Sequence, residues 1–173
     1  MADLSEEQTR IRSYLQGQAA RLSLADLVAK VLADSVQLRA AAEAAEAVDV
    51  TARPAEGEWS VNEVLNHVRD SCQSVNAGML TAAFEGHRPA PVRDSIVPTR
   101  DVRRPLEWFA AIDSERKATF ERLATLAGDE HLDIAWEHPF FGPLNWREWL
   151  LFTRIHDIDH ARQLESIVAA LQG

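Results

Sequence analysis

Residues 144–171, LNWREWLLFTRIHDIDHARQLESIVAAL, decide how the rest of the chain is read. Asn145 can cap a helix, Glu148 three positions on can close the reciprocal capping box, and Leu144 can staple onto Trp149, so the spacing predicts a sharp helix start. Beyond the cap, a rotation of about 100° per residue puts Trp149, Phe152, His156, His160, Gln163, Leu164, Ile167 and Leu171 on one stripe. A stripe of that kind running to the C-terminus is a long helix that buries one face against other helices. Two histidines stand at the centre of the buried face.

Working outward, Trp59-Ser60-Val61-Asn62-Glu63-Val64 repeats the same logic, with Ser60 and Glu63 as the capping box and Trp59 as the staple onto Val64. That helix should run to about Glu85 and stop at Gly86, a residue type that tolerates a left-handed cap. From Ser23 to about Ala47, Leu24, Leu27, Val28, Val31, Leu38, Ala42 and Ala45 recur at three-and-four spacing. Pro105 suits the first turn of a further helix through Phe109, Ile112, Phe120 and Leu123, ending at Gly128. Ser5 and Gln8 open a shorter helix to about Ala20, interrupted by Gly17. No strand-like alternation appears. The expected fold is therefore all-α: a four-helix bundle over residues 23–173 as a single domain, preceded by a short helical extension over 1–22. The connections 86–104 and 128–144 are long for a compact domain, and such loops are usually functional or mobile, or cross the length of the bundle.

Composition narrows the function classes. At 173 residues, 46% hydrophobic and 26% charged, the chain can bury the core of one globular domain. Its 27 acidic against 18 basic residues give a net charge of -9, which disfavours nucleic acid and anionic membrane as partners. No stretch approaches the about 20 apolar residues of a membrane span, and MADLSEEQTRIRS lacks the basic-then-apolar order of a signal peptide, so a cytoplasmic location is expected. The single cysteine, Cys72, leaves no internal disulfide framework and reads as a small buried hydrophobe on its helix's apolar stripe.

The histidines carry the chemistry. Residues four apart on a helix lie about 6 Å from each other, so His156 and His160 can reach one ion; the alternative is a pair of core histidines hydrogen-bonded to neighbours. His67 lies about a third of a turn from the Val61, Val64, Leu65, Val68, Cys72, Val75, Met79 stripe, on a face of small residues, Ser60, Ser71, Ser74 and Gly78. That face leaves room for a helix or a pocket, and equally suits an exposed histidine. His87 and His131 read as solvated loop residues. His138, in His138-Pro139-Phe140-Phe141-Gly142-Pro143-Leu144, sits in an aromatic turn able to pack over a site, and its role stays open.

Taken together, Trp59-Ser60-x-x-Glu63-x-x-x-His67, then His138-Pro139-x-x-Gly142-x-Leu144, then His156-x-x-x-His160-x-x-Gln163-Leu164 resemble the DinB-like (DinB/YfiT-like) superfamily of bacterial four-helix-bundle metalloproteins, from about Leu24 to Leu171. The resemblance implies that His67, His156 and His160 surround one divalent ion, nickel, zinc or iron. It also implies transferase, isomerase or hydrolase chemistry on a small molecule, a low-molecular-weight thiol such as mycothiol or bacillithiol as cosubstrate, and a homodimer. The segment before about Ser23 departs from the minimal family pattern.

Three neutral imidazoles leave an ion's charge intact and at least one coordination position open, so the expected function is activation of a thiol or water for attack on a small electrophile. The second reading is a non-catalytic stress-response module in which the ion holds the helices together. Acid–base help would come from Glu63, Asp70, Asp157 or Asp159, each of which also reads as a cap or a solvated charge, or as a hydrogen-bond partner of a ligand's free N–H. Arg116 falls on its helix's apolar stripe, either snorkelling at the bundle's edge or clamping a substrate carboxylate. Trp136, Phe140 and Phe141 are placed around the pocket mouth.

Overall fold

The structure is a computed structural model that describes residues 5–92 and 101–173. Five α-helices appear, α1 (Glu6–Arg21), α2 (Leu24–Ala45), α3 (Val61–Leu80), α4 (Pro105–Leu123) and α5 (Trp146–Gln172), with two short strands, β1 (Ala135–His138) and β2 (Gly142–Asn145). The starts lie where the sequence specifies them. Ser5 with Gln8, Ser60 with Glu63, and Asn145 with Glu148 close reciprocal capping boxes, and the Ser23 hydroxyl accepts the Asp26 amide. Each cap satisfies amides that the helical ladder leaves without a partner.

Two ends differ in detail from expectation. α3 continues into a wider π turn at Thr81–Glu85 before Gly86, at φ 64°, ends it. α4 stops at Leu123 rather than Gly128, because the Glu130 carboxylate accepts the Ala127 and Gly128 amides at 2.7 and 2.8 Å and takes them out of the ladder.

Helices α2–α5 form the bundle. α2 packs against α5 and α4, and α3 packs against the same two, so the connections α2–α3 and α4–α5 both join diagonal members of the ring. α1 lies on α5, where Leu15 enters the core. The buried Arg147 guanidinium donates to the carbonyls of Ala19 and Leu22 at the end of α1, and to that of Gly128. One side chain of α5 thus neutralises the negative end of α1 and fixes two loops.

The core has two apolar clusters. One gathers Leu27, Met79, Phe120, Trp146 and Trp149; the other gathers Leu38, Leu65, Trp108, Ile112 and Leu164. Arg116 and Asp157 belong to neither. They are 2% and 0% exposed, too deep to be solvated, and satisfy each other instead.

The long connection 128–144, expected as a loop, contains a short hairpin. β1 and β2 pair antiparallel, with Trp136 opposite Leu144 and His138 opposite Gly142. Trp136 stacks on Trp149 at 5.2 Å and 11°, pinning the hairpin to α5. Gly78 makes room for it: a Cβ there would meet the Trp136 ring at 3.0 Å. Trp136 is buried beneath the hairpin at 1% exposure, not at a pocket mouth. Among the described residues no helix is long and apolar enough to cross a membrane.

Candidate metal centre

α3 and α5 pack side by side, and that brings His67 to the two histidines of the α5 stripe. His156 Nε2 lies 3.2 Å from His67 Nε2 and 3.2 Å from His160 Nε2, and one nitrogen from each ring falls within 4.8 Å of the others. The nitrogen of a neutral imidazole carries either one proton or one lone pair, so His156 Nε2 cannot satisfy both neighbours by hydrogen bonding. A single cation satisfies all three. The 3.2 Å separations also suit it, since two ligands of a tetrahedral ion stand about 3.3 Å apart when metal–nitrogen bonds are about 2.0 Å.

The protonation states fit the same use. Burial holds the His156 pKa well below its ordinary value, with the neighbouring His160 and His67 adding to the effect. Burial also lowers His160, against the opposing pull of its Gln163 hydrogen bond and of Asp159 and Asp157. Both rings are neutral near pH 7. His160 Nδ1 lies 2.8 Å from Gln163 Oε1, an acceptor, so the proton sits on Nδ1 and Nε2 presents its lone pair to the cluster. Trp59, the staple residue of α3, brings its ring to 5.4 Å from His67.

The histidines line one wall of a cleft of about 620 Å³. Phe140, Phe141, Trp149, Phe152 and His138 form an aromatic wall, and Asp159 stands at the edge. Phe152 links the two ends, with its ring 5.6 Å from His156 and 4.3 Å from His138.

The other acid–base candidates are distributed as follows. Asp159 lines the cleft. Glu63 is occupied on both oxygens, by the Ser60 amide at 2.9 Å and by Arg53. Asp70 is exposed and lies outside the cleft lining. Asp157 binds Arg116 in a bidentate pair of 2.5 and 2.8 Å. Arg116 is therefore neither at the bundle's edge nor available as a substrate clamp, since Asp157 takes both Nη atoms. Burial works against its charge and the Asp157 carboxylate outweighs burial, so its pKa is raised. His87 and His131 are exposed. The neighbouring Cys72 is buried, its sulfur 3.4 Å from the Asn76 amide, and burial pushes its thiol pKa up.

A sequence model of the DinB superfamily matches residues 2–164. The chain belongs to the DinB superfamily. That match begins ahead of α1 and ends within α5. Among the solved structures that match, two are similar to this chain in their four-helix-bundle fold. TT2238, described as a four-helix bundle protein, is 21% identical over 83% of this chain and 99% of its own, with a TM-score of 0.58. YfiT from Bacillus subtilis, described as a probable metal-dependent hydrolase with an unusual four-helix bundle topology, is 18% identical over 96% of this chain and 90% of its own, with a TM-score of 0.59. No curated protein matches the chain.

Proposed function

We propose that the protein is a metal-dependent enzyme in which His67, His156 and His160 hold one divalent transition-metal ion, nickel, zinc or iron, beside a cleft for a small electrophilic molecule. The observation that carries this reading is the placement of three convergent imidazoles in the wall of an aromatic cleft, and not in a closed part of the core. The shared fold with a protein described as a probable metal-dependent hydrolase supports it. When bound, such an ion supplies Lewis acidity that favours the ionised form of a water or of a thiol such as mycothiol or bacillithiol, for hydrolysis, transfer or isomerisation.

The chain's own residues divide the remaining work. Gln163 holds the His160 ring in one tautomer. Asp159, at the edge of the cleft and open to solvent, is placed to accept a proton released by the nucleophile and pass it to water. Phe140, Phe141 and Phe152 take the apolar part of the substrate and keep water from it. The Arg116–Asp157 pair fixes α5 against α4 directly behind His156.

The test begins with elemental analysis of untagged protein beside the His156→Ala, His160→Ala double variant. About one equivalent of a transition metal in the native protein, absent from the variant, is the expected result. Screens against aryl esters, and against electrophiles offered with a thiol, should then show turnover that needs the metal. A native protein that neither contains nor takes up nickel, zinc or iron overturns the reading.

A further inference from the structure

Among the described residues, several buried polar groups take no part in the reading above, and His138 differs from the rest in lining the cleft itself. It is 5% exposed and ends β1. Its Nδ1 accepts the Phe140 amide at 3.0 Å. A ring nitrogen that accepts carries no proton, so the imidazole proton is on Nε2. Phe141, Trp149 and Phe152 surround the ring at 4.6, 4.9 and 4.3 Å between centroids. Those contacts and the Phe140 amide leave the Nε2 edge for the cleft. No hydrogen-bond partner for Nε2–H occurs among the described residues. His138 Nε2 is not among the fully buried atoms that lack a partner, so the donor is reached from the cleft, where an entering acceptor takes the place of water. Burial also holds the His138 pKa at about 4, so the ring stays neutral where the protein would work.

The geometry points to His138 as the hydrogen-bond donor that the cleft offers to a substrate oxygen: its neutral Nε2–H meets the carbonyl of a molecule whose apolar part lies against Phe140, Phe141 and Phe152. This rests on the cleft being a substrate site, and not on which ion the three histidines hold. When a nucleophile adds to the carbonyl carbon, the new carbon–oxygen or carbon–sulfur bond forms as the C=O π pair moves onto oxygen. The bond from Nε2–H strengthens as that charge grows. The proton stays on Nε2 throughout, so His138 needs no proton donor behind it.

The test uses full-length protein with ¹⁵N-labelled histidine, benzamide as an uncharged aryl carbonyl probe, and toluene as the matched probe without an acceptor. Long-range ¹H–¹⁵N spectra should show His138 in the Nε2–H tautomer at neutral pH, and benzamide should shift its Nε2 signal. His138→Phe, which keeps a ring in the aromatic wall, should bind benzamide roughly threefold to tenfold more weakly, the share of one hydrogen bond, and toluene unchanged. His138→Gln, which returns an N–H, should recover benzamide binding. A proton on Nδ1, no binding of benzamide by the native protein, or an equal loss of both probes in His138→Phe overturns the proposal. If His138→Phe does not fold, the tautomer and the benzamide shift in the native protein decide alone. Metal content measured on the same samples separates failure of this proposal from failure of the metal reading.

Discussion

His160 Nδ1 stands 2.8 Å from Oε1 of Gln163, three residues further along α5, and that contact decides which face His160 turns to His156. The two side chains leave the helix on the same side, so the orienting partner comes from the helix that carries His160 itself. The ring's lone pair is aimed before any ion arrives.

Gln163→Leu should therefore weaken metal binding by about tenfold to hundredfold, the usual cost of removing a partner that orients a ligand histidine. Gln163→Glu, which keeps the acceptor and adds charge, should bind at least as tightly as the native chain. Competition against a chromophoric chelator measures both. Equal affinity in native and Gln163→Leu protein would show that packing alone orients the ring.

The Arg116–Asp157 pair should behave as a buried unit. Removing one member strands the other charge, so Arg116→Leu and Asp157→Leu are each expected to destabilise by about 3–5 kcal/mol. The double variant, with two apolar side chains facing each other, should lose much less than the sum of the singles. Urea denaturation at pH 7 gives all three values. Additive losses would mean that each residue acts through other partners.

Much of this architecture was legible in the sequence, and the unread parts share a physical cause. Helix starts are written locally, because a cap and its partner stand three residues apart, as at Ser60 and Asn145. The α5 stripe likewise placed His156 and His160 on one buried face. The hairpin was not legible: its strands have four residues each, and what holds Trp136 in place is a ring on another element, Trp149. Arg116 could be read as lying on a buried stripe, but its partner is 41 residues away. His67 had the same difficulty, since its own face is small and polar and α5 alone brings it into the cluster.

Removing the ion separates the two readings of what it is for. Both apolar clusters already join α3 to α5 without it, through Met79 and Trp149 in one and Leu65 and Leu164 in the other. Chelation is thus expected to abolish activity while leaving most of the thermal stability, with a lowering set by mass action alone. Calorimetry of loaded and stripped protein checks this. Collapse of the cooperative transition on stripping would favour the structural ion.

Acid should act on the fold through His138. Its folded pKa is about 4, against about 6.5 when unfolded. Between those values the unfolded chain binds a proton that the folded chain refuses, because a proton on Nδ1 would break the bond from the Phe140 amide and place a charge among aromatic rings. Stability is then fully present above about pH 6.5 and falls as pH drops, with the loss complete below about pH 4. That gap, at about 1.4 kcal/mol per pH unit, corresponds to a loss of about 3 kcal/mol. His156 and His160, also lowered, act with the same sign. Stripped protein keeps metal release out of the measurement. Urea denaturation at pH 7.5, 6 and 5 should show the native chain losing more stability than His138→Phe, which keeps only the share of His156 and His160. Parallel curves for the two proteins would place the acid sensitivity elsewhere.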